Sequence, residues 1–220
     1  MKKLACFVFS LLFPLLSWSQ TPWYKLHSPI PNTWWDTDFV SRSTGWVSGS
    51  DGKMLRTVDG GQNWKLQATG SFKTLYTVWA LDEQRVWAAG VNGTLLRTTN
   101  GGDSWKAAAT GTQSSLRDLF FLDEEHGWTV GAQGTLLRTT DGGETWHSQP
   151  SGTQTYLLQV QFHDLNLGWA AGDELLRTTD GGESWRRYDP QLGVLLHALH
   201  FVDEHHGWAA GGGAGSDDGA

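Results

Sequence analysis

Apolar residues fall on alternate positions in short runs along the chain, and one such run returns at a near-constant distance: Val78 and Ala80, Leu119 and Phe121, Val160 and Phe162, Leu199 and Phe201. Alternation with a period of two predicts a strand with one buried face. Each run is followed by turn residues and three further strand-like segments. In the copy around residue 130 the four strands are predicted at Leu116 to Leu122, Gly127 to Val130, Thr135 to Thr140 and Thr145 to Gln149. The turns between them are Asp123-Glu124-Glu125-His126, Ala132-Gln133-Gly134 and Asp141-Gly142-Gly143-Glu144. No copy holds a ten-residue stretch of helical periodicity free of glycine, which excludes helical repeats of similar length.

Two tryptophan ladders fix the period. Trp46, Trp87, Trp128, Trp169 and Trp208 are spaced by 41, 41, 41 and 39 residues, and Trp23, Trp64, Trp105, Trp146 and Trp185 by the same intervals. A four-stranded antiparallel unit of about 41 residues predicts an all-β fold, a β-propeller of four-stranded blades. Four full blades and a partial fifth are expected. The last copy supplies Leu195 to Val202 and Gly207 to Ala210, then passes into a glycine-rich tail before reaching its Arg-Thr-Thr-Asp-Gly-Gly string. Seven blades at this period need about 290 residues, so an incomplete propeller is expected. Trp23-Tyr24-Lys25-Leu26 aligns with the fourth strand of a blade, the segment by which a propeller ties its ring. Trp34, Trp35 and Trp79 belong to neither ladder.

Composition adds limits. The 220 residues include 14 Trp, 28 Gly and 1 Cys, with a formal charge of −7. That charge argues against nucleic acid or an anionic membrane surface as the partner. Lys2 and Lys3, the apolar stretch Leu4 to Leu16 and the small residues Ser17 and Ser19 read as a secretory signal. Residues 1–19 are therefore expected to be a signal peptide, 20–210 the repeat domain and 211–220 a disordered tail. The chain is expected to be exported to the periplasm, cell envelope or medium. No other segment is long and apolar enough for stable membrane insertion after cleavage. Loss of the signal removes Cys6, and with it thiolate chemistry, disulfides and cysteine metal sites.

Each full copy carries Thr, then Asp or Asn two residues later, then Gly-Gly, then Trp: Thr57-Val58-Asp59-Gly60-Gly61…Trp64, Thr98…Asn100…Trp105, Thr139…Asp141…Trp146 and Thr178…Asp180…Trp185. An Asp at the head of such a hairpin accepts bonds from turn amides, the glycines supply positive φ, and the Trp packs back over the hairpin. Asn100 keeps one acceptor, so a weaker turn but no lost blade is expected there. The motif resembles the Asp-box, Ser/Thr-x-Asp-x-Gly-x-Thr-Trp, of bacterial neuraminidase repeats. The longer string Gly-Trp…Leu-Leu-Arg-Thr-Thr-Asp-Gly-Gly-x-Ser/Thr-Trp is similar to the Ycf48 and Hcf136 family of photosystem II assembly and stability factors, from Trp23 to about Gly211.

That resemblance implies a non-enzymatic propeller that binds an unassembled protein subunit through an arginine-rich surface. The arginines in matching places are Arg56, Arg97, Arg138 and Arg177, one per copy. They read either as a partner-binding track or as packing, each stem laid over a neighbouring Trp; repetition in every blade favours packing.

No catalytic, cofactor or metal site is expected. Sialidase chemistry needs an arginine triad, a tyrosine nucleophile and acidic partners from non-equivalent blades, and the Arg-Ile-Pro segment of those enzymes is absent. Asp36, Asp38 and Asp118 sit on inner strands and read as polar lining of a wet central channel rather than a carboxylate pair. His197 and His200 are three apart on a strand and face opposite sides. The alternative reading is a carbohydrate-active or sialidase-like Asp-box enzyme. Binding is expected on the face carrying the connections between blades and the second-to-third-strand turns, including Gly70 to Lys73, Gly111 to Ser115 and Ser50 to Lys53. Those loops are short and polar, which favours a protein or peptide partner.

Overall fold

The computed structural model describes residues 28–189 and 194–212. The signal segment, Trp23 to Leu26 and residues 213–220 lie outside the described residues. The first blade consists of β1 (Trp34–Phe39), β2 (Gly45–Gly49), β3 (Met54–Thr57) and β4 (Lys65–Gln67). The second has β5 (Leu75–Ala80), β6 (Val86–Gly90), β7 (Leu95–Thr98) and β8 (Lys106–Ala107). The third has β9 (Leu116–Phe121), β10 (Gly127–Gly131), β11 (Leu136–Thr139) and β12 (His147–Ser148). The fourth has β13 (Leu157–Phe162), β14 (Gly168–Gly172), β15 (Leu175–Thr178) and β16 (Arg186–Asp189), and β17 (Leu195–Phe201) with β18 (Gly207–Gly212) forms a two-stranded fifth sheet. Every sheet is an antiparallel meander in chain order, and the inner strands pack β1 on β5 on β9 on β13 on β17. β18 runs to Gly212, two residues longer than the strand expected at Gly207 to Ala210. The fourth strand of the third blade is shorter than predicted, His147–Ser148 alone.

The first Trp ladder forms the seams between blades. Trp46, Trp87, Trp128 and Trp169 are fully buried. Trp87 stacks on Phe121 of the next blade at 4.0 Å between centroids, Trp128 on Phe162 at 3.6 Å and Trp169 on Phe201 at 3.8 Å. Each such Phe also lies over a glycine across its own sheet, so that a Cβ on Gly127 would fall 2.6 Å from the Phe121 ring. The second blade reverses the pair: Ala80 faces Val86, restoring the volume from the other strand. The second ladder closes the blade from within, Trp146 meeting Phe121 and Trp185 meeting Phe162 edge-on at 5.8 Å. Trp208 is 64% and Phe39 43% exposed, because among the described residues no following blade covers the one and no preceding blade the other.

Candidate partner-binding face

The Asp-box turns are built as the motif chemistry requires. Thr139 Oγ1 donates to Asp141 Oδ1 at 2.8 Å and accepts from Gly143 N at 2.9 Å, while Asp141 Oδ1 accepts from Thr145 N at 2.9 Å. Partial desolvation opposes ionisation of Asp141, but the bonds from Thr145 and Thr139 prevail and hold its carboxyl down to about 2. Bonds from Ser184 and Thr178 do the same for Asp180, also to about 2. Asp59 is lowered by its bonds from Asn63 and Thr57. Asn100 accepts from Thr98 Oγ1 at 2.8 Å and Ser104 N at 3.0 Å and donates to Ser104 Oγ at 2.9 Å, which preserves the turn without a charge.

These turns serve the ladder. Trp87 Nε1 donates to Gly142 O and Trp128 Nε1 to Gly181 O, each at 3.2 Å, locking a seam tryptophan to the next blade's box. In the first blade Gln67 Nε2 takes the corresponding carbonyl, Gly101 O, at 2.9 Å, and Trp46 Nε1 stays buried without a partner.

Three of the four repeated arginines are held in the same packing. Arg56, Arg97 and Arg138 place their guanidinium carbons 5.3, 6.0 and 5.7 Å from the ring centres of Trp46, Trp87 and Trp128. Arg56 reaches Glu83 O at 3.4 Å and Arg97 pairs with Glu144 at 2.9 Å, both on the next blade. Arg177 sits opposite Trp169 in the same register and is partly buried.

The inner-strand carboxylates bridge neighbouring blades. Asp36 Oδ2 accepts from Val78 N at 3.0 Å and Thr77 Oγ1 at 3.1 Å, Asp38 Oδ2 from Ala80 N at 2.7 Å, and Asp118 Oδ2 from Val160 N at 2.8 Å. Gln161 repeats the bridge on the fifth sheet, accepting from Phe201 N and donating to Phe201 O, each at 2.8 Å. Burial pushes Asp118 up to about 7 against the bonds from Val160 N and Leu119 N, with a smaller contribution from Asp36. Burial raises Asp38 too, against its bond from Ala80 N. His206 Nδ1 lies 2.9 Å from Asp203, and His126 Nδ1 3.0 Å from Asp123, in matching turns. Among the described residues no three His, Cys, Asp or Glu converge on one point.

The two faces differ. Thr69 Oγ1 donates to Gly52 O at 2.7 Å and Thr110 Oγ1 to Gly93 O at 2.9 Å, binding the interblade connections to the second-to-third-strand turns at one end. Gly52 and Gly93 have positive φ and lie so near the chain that a Cβ would be 2.0 to 2.1 Å from Ser71 O and Thr112 O. The Asp-box turns lie at the other end on the first-to-second-strand turns, with Gly101 N bonded to Gln84 O and Gly142 N to Glu125 O at 2.9 Å.

At the connection end every inner strand carries a bulge. The pairing passes from Trp34 to Asp36, Leu75 to Thr77, Leu116 to Asp118, Leu157 to Gln159 and Leu196 to Ala198. The residues skipped are Trp35, Tyr76, Arg117, Leu158 and His197. Bulges re-aim side chains, and the first three meet across blades. Trp35 contacts Tyr76 edge-on at 5.1 Å, and the Arg117 guanidinium lies 4.1 Å over the Tyr76 ring. Trp35 stays 50% exposed and donates from Nε1 to Ser50 Oγ at 3.2 Å. The turn holding Ser50 also touches the backbone of Ser71 and Phe72, and Phe72 is 89% exposed. Trp35 lies off both tryptophan ladders, and Tyr76 and Arg117 belong to no repeated motif. The available signal was disagreement among copies at one register position.

Strand order, blade succession and seam packing together define a β-propeller. A family model described as photosynthesis system II assembly factor YCF48 matches residues 16–113 and 103–194, and the chain belongs to that family. Among solved structures, YCF48 bound to a D1 peptide is 18% identical with a TM-score of 0.50, over 84% of this chain and 92% of that one. The WD40 β-propeller domain of Doa1 is 12% identical with a TM-score of 0.69, over 84% of this chain and 64% of that one. An ancestral GH74 enzyme is 16% identical with a TM-score of 0.65, over 80% of this chain but 27% of that one. A search of curated proteins gives no match.

Proposed function

We propose that this protein is an exported, non-catalytic propeller that holds a segment of a partner protein on its connection face. The observation that carries this reading is the contiguous row Trp35, Tyr76 and Arg117, raised by bulges, with the turn at Ser50 to Gly52 linking Trp35 to the connection that holds the exposed Phe72. A large half-exposed aromatic beside a cation is the composition of a recognition surface. Family membership and a relative bound to a D1 peptide support a peptide segment as the ligand class. The carbohydrate-active alternative has less support, because Asp36, Asp38 and Asp118 all accept backbone N–H bonds from the neighbouring blade. Signal-like residues 1–19 support export. No helix among the described residues is long and apolar enough to cross a membrane.

The test is affinity capture from an envelope extract of the native organism, with Trp35→Ala as the paired bait and mass spectrometry as readout. One protein enriched by the native chain and lost with the variant is expected. Equal recovery on both baits would overturn the reading.

A further inference from the structure

The bulge row carries more chemistry than a generic contact surface. The Arg117 guanidinium has one face covered by Tyr76, its Nε is buried without a partner, and among the described residues it forms no salt bridge. Arg85 and Arg97, by contrast, both have carboxylate partners. Asp118 is next in sequence, but its Oδ2 is turned to Val160 N of the following blade. Stacking on tyrosine holds the guanidinium plane and leaves its terminal N–H groups for an in-plane acceptor, the geometry by which arginine selects carboxylate.

The charges around the row are few. The connection loops of the first three blades carry Lys53, Lys73 and Asp51, and the inner strands add Asp36 and Asp118 next to Trp35 and Arg117. The opposite end of those blades bears Asp82, Glu83, Asp123, Glu124, Glu125 and Glu144. With Asp36 and Asp118 each turned to a backbone N–H of the following blade, Arg117 is the cation in the row that has no carboxylate partner among the described residues. The patch is also linear. Trp35, Tyr76 and Arg117 come from successive blades, with Leu158 next in register, and lie across the inner strands as an extended segment would.

From this we propose that the row binds an extended acidic peptide, with an Asp, Glu or C-terminal carboxylate on Arg117 and an aromatic or aliphatic side chain against Trp35 and Phe72. This rests on the partner-binding reading above and adds the chemistry of the segment recognised. An isolated Arg–carboxylate bond in a partly buried site discriminates against the amide by about tenfold.

The experiment is selection of a random dodecapeptide display library, with free C-termini, on the native chain and in parallel on Arg117→Gln and Trp35→Ala. The native chain is expected to enrich peptides with a carboxylate within a few residues of an aromatic or aliphatic side chain. A selected peptide should bind about tenfold tighter than its Asp→Asn or Glu→Gln version, or its C-terminal amide. Arg117→Gln should erase that ratio while keeping the native melting temperature, and Trp35→Ala should weaken acid and amide forms alike. No acidic enrichment, or a ratio that survives Arg117→Gln, overturns the proposal. A partner captured from the extract whose binding ignores Arg117 would also overturn it, yet leave the partner-binding reading standing; failure of both experiments removes both. Enrichment abolished by competing uronate oligosaccharide and insensitive to peptide sequence would reassign the patch to a sugar acid.

Discussion

The outer half of each blade and its inner edge obey opposite rules. Outside, the same residues recur: a seam tryptophan, an arginine across from it, a Thr-x-Asp/Asn-Gly-Gly turn and a second tryptophan. Their contacts recur with them, the stacks of Trp87, Trp128 and Trp169 differing by less than half an ångström. Inside, the bulge recurs but its occupant changes from Trp35 to Tyr76, Arg117, Leu158 and His197. A residue demanded by the blade must appear in every blade. One chosen for a ligand is free to differ, since a ligand does not have the propeller's repeat. Repetition thus marks the packing, and departure from it marks the surface available for recognition.

The largest test of that contrast sets one tryptophan against another. Trp128→Ala removes a fully buried ring and should cost about 3–5 kcal/mol in urea unfolding. Trp35→Ala, half exposed, should stay within about 1 kcal/mol and lose partner capture instead. Comparable destabilisation by the two would end the division into packing and recognition. The Phe–Gly pair comes next. Gly127→Val forces a side chain into the Phe121 ring and should cost about 1–3 kcal/mol. Combined with Phe121→Ala it should recover about 1 kcal/mol or more relative to the sum of the single effects, because the second blade already uses Ala80 with Val86. Strict additivity in a double-mutant cycle would refute the complementarity.

Smaller effects follow from protonation. Asp118, raised to about 7, contributes fully to stability below its unfolded value near 3.8, and the contribution is lost as pH rises through 7. Unfolding free energy should therefore fall between about pH 4 and 7, and Asp118→Asn, which keeps an acceptor for Val160 N, should flatten that slope. Parallel pH profiles for the two proteins would rule it out. Asp141 and Asp180 run the other way: held at about 2, they stabilise above about 3.8 and lose that contribution as pH falls through 2. Replacing Asp141 with Asn, the residue nature has at position 100, should lose well under 1 kcal/mol at neutral pH, because the turn bonds survive and the exposed charge is screened. The difference should vanish below pH 2, as read by thermal melts.

Much of the architecture is visible in the chain because its determinants are local. A two-residue alternation, turn glycines and the Thr–Asp pair act within about ten residues, so strands and Asp-box turns were readable wherever the motif is intact. Strand length was less so: the short β12 depends on neighbours that leave His147 and Ser148 alone in the ladder with β11. The interblade bonds of the inner aspartates were not legible, because their partners, Val78, Ala80 and Val160 N, are 42 residues away in the next blade. The ring contacts of Arg56, Arg97 and Arg138 were readable, since a cross-strand Trp at fixed register implies them. Arg117 was not, because it has no counterpart from which to reason.

Period, blade content, seam tryptophans and turn chemistry were thus settled by the amino-acid order, through interactions that close within one repeat. The meeting of Trp35, Tyr76 and Arg117 was settled by the stacking of blades. Each is 41 residues from the next, and an edge-on ring contact at 5.1 Å and a guanidinium stack at 4.1 Å exist only once successive sheets are rotated about a common axis with their bulges aligned.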